Sequence, residues 1–373
     1  MNKTSYDNLA AFHPGYYIKE YLADQGMNQK ELADRLNTNE KTVSQLVNGK
    51  INLNAELEIG LSLALGTSQQ LWHDLNQRYL KVKAEIEFQT RLDDEKDIQQ
   101  QLDYKFWEKL GLVEETHQSQ AKVQELRKFF KISSLDVLKS RDFLVQYRTA
   151  VAEVKDVNVI NSNAWVQTAL NLGNSIETEP INLAYLQDNL PVIRQMTLKT
   201  PQEFLPELRD IFQRAGVAFV ILPNLKNCGV NGAVKWLGKS KVLLAMNDRR
   251  KYSDIFWFTL FHEIRHVLQK KKGHIIINGA QNSGITSSLN MAELEKDANQ
   301  FAQNILIKPA DYAKFVAEGD FSQATVENFA QKISIQPGIV VGRLQNDGYL
   351  NYKQMNNLKE KYTVLFQKDS TRE

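Results

Sequence analysis

The feature that most constrains this chain is an apolar run, Ile255–Leu268, that carries His262-Glu263-Ile264-Arg265-His266 in its middle. The run has helical length and contains neither Gly nor Pro, so it predicts one buried helix from about Asp254 to Gln269. Phe256, Trp257, Phe258, Leu260, Phe261, Val267 and Leu268 supply its apolar surface. Imidazoles and a carboxylate are not buried among such neighbours without a partner. On a helix, residues four apart share a face, so the rings of His262 and His266 can hold one Zn²⁺. Glu263 is one step round from His262 and can reach a metal-held water as general base. The plainer alternative is two histidines on the surface of a buried helix, with Glu263 paired to Arg265 or a lysine.

Such a site needs a third ligand. The extended pattern HExxHxxGxxH fails, because Gln269 stands three residues past His266 and the next histidine is His274. A carboxylate on the following helix is the other solution. The stretch from Asn290 to Ile307, halted near Pro309, predicts that helix and offers Glu293, Glu295 and Asp297. Its apolar stripe reads Ala298, Phe301, Ala302 and Ile305, and Asp297 lies one turn before Phe301. For the group that stabilises a polarised carbonyl, Arg249, Arg250 and Tyr252 are candidates.

Upstream, Val217–Leu222 is β-branched and aromatic, and Val230–Lys235 and Lys241–Met246 are further strand-length runs between turns. Strands followed by helices predict an α+β unit over 198–373. From Leu80 to Thr197 the pattern is helical. It carries no recognisable chemistry and reads as a connector, 81–197, that spaces two domains and can dimerise.

Residues 1–80 differ again. Polar breaks at Gly26-Met27-Asn28, Asn37-Thr38-Asn39, Asn48-Gly49-Lys50 and Gly66-Thr67-Ser68 separate short amphipathic stretches. Asn28 and Ser68 are candidate caps, and Asn48-Gly49 is a stop signal. Asn28–Lys50 has the layout of a helix-turn-helix. Leu32, Ala33 and Leu36 form the buried face of the first helix, and Val43, Leu46 and Val47 that of the second. Glu40, Lys41, Thr42, Ser44 and Gln45 are left on the outer face, where polar side chains suit a major groove. Gln29, Asn48 and Lys50 sit at helix ends, where phosphate contacts are usual. Seven basic and nine acidic residues in this segment mean that binding rests on where the cations sit rather than on bulk charge. Glu40 can accept from cytosine but repels phosphate.

The stretch from His13-Pro14-Gly15 through Gln29–Ala33 and Val47-Asn48-Gly49-Lys50 to Ala64-Leu65-Gly66 and Trp72 resembles the Xre-type, lambda-repressor-like domain of HigA-like antitoxins. The resemblance implies a dimer that binds double-stranded operator DNA and represses the operon it shares with a toxin. FWFTLFHEIRHVL followed by EKDANQFAQNILIKP, with QPGIVVGRLQNDG further on, resembles the zincin-like ImmA/IrrE metallopeptidase domain. That implies His262 and His266 as Zn²⁺ ligands, Glu263 as catalytic base, and Asp297 where the family places a third ligand that is usually Glu. Because Asp is one methylene shorter, Glu293, Glu295, His274 and the lack of any third protein ligand remain alternatives. A non-cleaving module that clamps a toxin or senses an effector remains beside a peptidase acting on a toxin, a repressor or this chain itself.

One cysteine in 373 residues excludes an internal disulfide framework and a multi-cysteine metal site. Cys228 reads as packing, His13 as a helix-start residue and His73 as a surface residue. Lys270, Lys271 and Lys272 read as a solvated helix end. No run approaches the ~20 apolar residues of a membrane span, and no signal segment opens the chain, so the expectation is a cytoplasmic protein.

Overall fold

The computed structural model describes residues 3–140, 155–248, 251–270, 276–278 and 289–362. The expectations on Arg249, Arg250, Lys271, Lys272 and His274 lie outside them. The described residues are mostly helical with two small sheets. They fall into two compact units, Met1–Asp97 and Ile98–Glu373. No described helix is long and apolar enough to cross a membrane.

The first unit opens with a hairpin of β1 (Lys3–Tyr6) and β2 (Leu9–Phe12), followed by α1 (Pro14–Asp24), α2 (Gln29–Arg35), α3 (Glu40–Val47), α4 (Ala55–Leu65) and α5 (Gln69–Asp94). The breaks in the sequence act as predicted. Asn28 caps α2 by accepting from the Glu31 N–H at 2.8 Å, and Ser68 caps α5 by accepting from the Leu71 N–H at 3.1 Å. Gly49 takes a left-handed conformation, φ 66°, just past α3. Ile18, Leu22, Leu32, Ala33, Val43, Leu46, Leu61 and Trp72 form the core. The His13-Pro14-Gly15 start is also explained. His13 caps α1, Pro14 occupies its first turn, and Gly15 lies where a Cβ would come within 2.1 Å of the Leu46 carbonyl oxygen.

His13 is fully buried, its Nδ1 accepting from the Gly15 N–H at 2.9 Å and its ring edge-on to Tyr79. Burial pulls its pKa below the usual histidine value, despite the opposing influence of the Ile51 carbonyl. A depressed pKa means that the unfolded chain binds the proton more readily. Stability is therefore complete above about pH 6.5 and declines as pH falls from there through the lowered folded pKa. Thermal melts from pH 7.5 to 5 should show an acid loss that is smaller in His13→Asn, which keeps a capping acceptor but does not titrate. An identical pH dependence in the two proteins would remove His13 as the cause.

In the second unit, α6 (Lys96–Gln101) crosses the junction, and α7 (Tyr104–Lys109), α8 (Ser119–Phe130) and α9 (Asp156–Ser175) follow. Then come α10 (Leu183–Asp188), α11 (Leu190–Gln195), α12 (Pro201–Arg214), β3 (Val217–Leu222), β4 (Gly232–Trp236) and β5 (Val242–Asn247). The chain continues through α13 (Ser253–Leu268), β6 (Ile276–Asn278), α14 (Leu289–Leu306), α15 (Pro309–Glu318), α16 (Gln323–Lys332) and α17 (Pro337–Asn346). The sheet order is β3-β5-β4-β6. β3 runs parallel to β5, with Phe219 opposite Leu244, and β4 is antiparallel to both β5 and β6.

Alternation along the strands sends residues to two helical layers. Val217, Phe219, Ile221, Val242, Leu244 and Met246 join the core shared with α12 and α13. The intervening Ala218, Val220, Leu222, Leu243 and Ala245 are equally buried. On that other face lies α9. A Cβ on its Gly173 would come within 2.6 Å of Leu243, and its Trp165 indole donates to the Pro223 carbonyl at 3.1 Å.

These contacts correct the expected division into 1–80, 81–197 and 198–373. α5 runs unbroken past residue 80, so the first boundary falls inside a helix. The second falls inside a unit that starts at Ile98, because α9 forms one whole layer of it. Asn161, Ser162, Asn163 and Thr168 of α9 are buried and bonded. Trp107 donates to Thr168 Oγ1 at 2.9 Å, and the Asn163 amide donates to the carbonyls of Leu138 and Ser140, each at 2.9 Å. Ahead of α9, Ser134 caps a 3₁₀ turn, Leu135–Lys139, and 141–154 lie outside the described residues.

Candidate metal centre and nucleic-acid interface

α13 is buried on nearly every side. Phe256, Trp257, Leu260, Phe261, Ile264 and Val267 pack into the core, with the rings of Trp257 and Phe204 4.8 Å apart. Each such side chain contributes about 1.5–3 kcal/mol on burial. Together they offset the several kcal/mol of desolvation that His262, Glu263 and His266, all within 1% of complete burial, bring into the same helix.

Across from α13 lies α14, and it carries Glu295. His262 Nε2 and His266 Nε2 are 2.9 Å apart, and each lies 3.3 and 3.2 Å, respectively, from a Glu295 carboxylate oxygen. These three residues form the one cluster among the described residues whose ligand atoms could hold a metal ion. Ligand atoms around a tetrahedral zinc ion lie about 3.3 Å apart, so the spacing fits.

The hydrogen bonds behind the rings fit as well. Gln269 donates its amide to the Leu294 carbonyl at 3.0 Å and to Asp297 at 2.8 Å. Both are pure acceptors, so the Gln269 oxygen is turned toward His266, whose Nδ1–H donates to it at 2.8 Å. His262 Nδ1–H donates to Asn299 Oδ1 at 2.9 Å in the same way. With both protons on Nδ1, both Nε2 lone pairs and the Glu295 carboxylate converge on one point. Burial alone would lower the His266 pKa, but the hydrogen bond to Glu295 and the nearby Glu263 raise it overall. Burial would raise Glu295, but both rings outweigh this and hold it at about 2.

The carboxylate at the two rings is therefore Glu295, and the assignment of Asp297 is corrected. The reason is helical phase. The buried stripe of α14 is centred on Ala298, Ala302 and Leu306, while Phe301 and Ile305 lie on its flank. Continued toward the N-terminus, that stripe reaches Glu295, three residues before Ala298. Asp297 shares the flank and bonds Arg265, whose Nε and Nη2 donate to it at 2.7 and 3.2 Å. That guanidinium holds the Asp297 carboxyl below its usual range. Glu293 is exposed. Tyr252 precedes α13, about 15 Å of helix from Glu263, and faces Lys361 instead. Asn299 and Gln269 were not singled out by sequence reasoning, although Asn299 stands at i+4 from Glu295. Cys228 is buried, in keeping with packing.

Glu263 sits beside His262 with its carboxylate against β4. A Cβ on Gly232 would lie 2.4 Å from Glu263 Oε1. A cleft lined by Asn231, Met246, Ile255, Phe256, Thr259 and Tyr362 runs along the same helix, one turn before Glu263.

In the first unit, α2 and α3 meet at the Asn37-Thr38-Asn39 turn, where Asn37 takes φ 49°. Asn39 caps α3. Leu32 and Ala33 pack against Val43, Leu46 and Val47. Glu40, Lys41, Asn48 and Lys50 are exposed, and Gln29, Thr42, Ser44 and Gln45 are half-buried. Glu40 stands in the first turn of α3, where a carboxylate complements the helix dipole. The Asn48 amide turns back to the Ser44 carbonyl at 2.8 Å, and Thr42 Oγ1 donates to Asn39.

A helix-turn-helix family profile matches residues 18–69, which lie within this unit. The HTH-type transcriptional regulator YddM of Escherichia coli K12 is 33% identical over 72 residues, 19% of this chain and 77% of YddM. The chain belongs to the helix-turn-helix transcriptional regulators. Two solved structures are also similar to part of this regulator. A putative antidote protein of a plasmid maintenance system from Nostoc punctiforme is 26% identical, with 24% of this chain and 93% of that one covered and a TM-score of 0.22. An addiction module antidote protein of the HigA family from Coxiella burnetii is 24% identical, with 22% and 92% covered and a TM-score of 0.21.

Proposed function

We propose that this DNA-binding regulator joins an operator-reading module to a zinc-dependent endopeptidase that cuts one protein partner, a cognate toxin or a repressor. The observation that carries the enzymatic half is the convergence of His262, His266 and Glu295 with a buried Glu263 one residue away. These three would hold Zn²⁺, which supplies Lewis acidity and a water acidic enough to ionise near neutral pH. Asn299 and Gln269 keep both rings in the tautomer that presents Nε2. Glu263 takes a proton from the attacking water and passes it to the leaving amine. The antitoxin role rests on the HigA-like sequence resemblance, and a homodimer follows from the paired half-sites that such modules read. Because Glu295 faces both rings, the shorter Asp297 carboxylate gives no ground for preferring a clamp that cuts nothing.

The full chain, with its metal quantified, should cleave the product of the neighbouring gene. Tight binding without cutting, at full zinc occupancy, would replace the peptidase with the clamp.

For the operator, Lys41→Ala should weaken binding about uniformly across sequences and reduce the salt slope by about one. Gln45→Ala should relax preference at one base position, costing ~1–3 kcal/mol there. Gel shifts at several salt concentrations check both. If neither variant alters binding, α3 is not the reading helix.

A further inference from the structure

The groups behind His266 form an unbroken chain. Arg265 clamps Asp297, Asp297 accepts from the Gln269 amide, and the Gln269 oxygen accepts from His266 Nδ1–H. Each link limits the next. A glutamine side chain alone can present either end of its amide, and with the –NH₂ end toward His266 the ring proton would move to Nε2, the atom that must bind metal. What prevents this is the pair of acceptors on the –NH₂ group, Asp297 and the Leu294 carbonyl. Asp297 is gripped by Arg265 through Nε and Nη2, and Arg265 is itself seated over the Phe301 ring, 5.3 Å from its centroid.

We propose that Asp297 is a positioning residue of this centre, acting through Gln269 to keep the His266 Nε2 lone pair directed at the metal. The proposal rests on the metal reading of the site but is testable without it. It also gives the carboxylate that sequence reasoning assigned as a ligand a different task, one shell out, where partners of ligating histidines commonly tune affinity ~10–100-fold.

The full-length chain is studied in two ways. Zinc affinity is read by competition with a chromophoric chelator, and the His266 tautomer by ¹⁵N-histidine spectra of the metal-free protein at a pH where the ring is neutral. Asp297→Leu is expected to weaken zinc ~10–100-fold and to shift His266 away from the Nδ1–H tautomer. Asp297→Asn, whose oxygen still accepts from Gln269, should restore both to within about threefold of wild type, within the scatter of such effects. Arg265→Met cuts the ion pair and leaves the Gln269 contact, so it should stay close to wild type. If Asp297→Leu keeps wild-type affinity and tautomer, the proposal is overturned. It is equally overturned if Arg265→Met matches the loss in Asp297→Leu while Asp297→Asn fails to rescue, since the ion pair alone then matters. Should wild type bind no zinc, the metal reading falls and the ring spectrum still decides whether Asp297 sets the tautomer.

Discussion

Glu263→Gln will lower peptide-bond cleavage by ~10²–10⁴-fold while the metal content stays at its wild-type value. The amide has nearly the shape of the carboxylate but cannot accept and return a proton. Glu263 is fully buried, so no solvent base replaces it directly. It is not one of the three converging ligand residues, so zinc binding should survive its neutralisation. Thermal stability should not fall either, since an ionised carboxylate is the costlier group to bury. His262→Ala provides the contrast, losing metal and activity together. Retained cleavage in Glu263→Gln would mean that another group moves the proton, and the assignment of Glu263 would be lost.

How far the sequence foretells this site depends on which physical signal carries each part. β3 occupies Val217–Leu222, the predicted range, and α13 is Ser253–Leu268 against a predicted Asp254–Gln269. In both cases one strong local signal, a β-branched run or an uninterrupted apolar helix, decides the outcome. The hairpin of β1 and β2 has no such signal. Its strands are four residues long, β1 is nearly all exposed, and it is held through Ala11, Tyr79 and Ile86, a contact with α5 that no local pattern encodes. α9 is misread for the opposite reason. Asn161, Ser162, Asn163 and Thr168 look like a solvated face, yet all are buried, bonded across to the Gln101, Leu138 and Ser140 carbonyls, the Gly229 N–H and the Trp107 indole. Glu295 and Asp297 stand about 160° apart on one helix, and the choice between them turns on where the stripe is centred. Treating Phe301 as the centre of the stripe selects Asp297, whereas Ala298 and Ala302, small enough for α14 to approach α13 closely, select Glu295.

Gly232→Ala should lower cleavage at least ~10²-fold with zinc stoichiometry unchanged, because it acts on Glu263 without touching a ligand. Gly232 begins β4, opposite Met246 on β5 and Asn278 on β6, so its backbone is fixed from both sides. An added Cβ would meet Glu263 at 2.4 Å from Oε1, 2.7 Å from Cδ and 2.9 Å from Cγ. α13 cannot retreat, because Trp257, Leu260, Phe261 and Ile264 are packed to complete burial behind it. Either the carboxylate leaves its place beside His262 or β4 moves off the sheet, and overpacking of this kind costs about 1–3 kcal/mol. Coupling separates this from general damage. If Gly232→Ala works by displacing the carboxylate, adding it to Glu263→Gln should reduce the residual activity little further, since the proton carrier is already gone. Shortening the side chain with Glu263→Asp should likewise hurt less in the Gly232→Ala background than in wild type. Full additivity of the two substitutions, or a Gly232→Ala enzyme with wild-type turnover, would show that this close approach of strand to helix has no part in holding the general base.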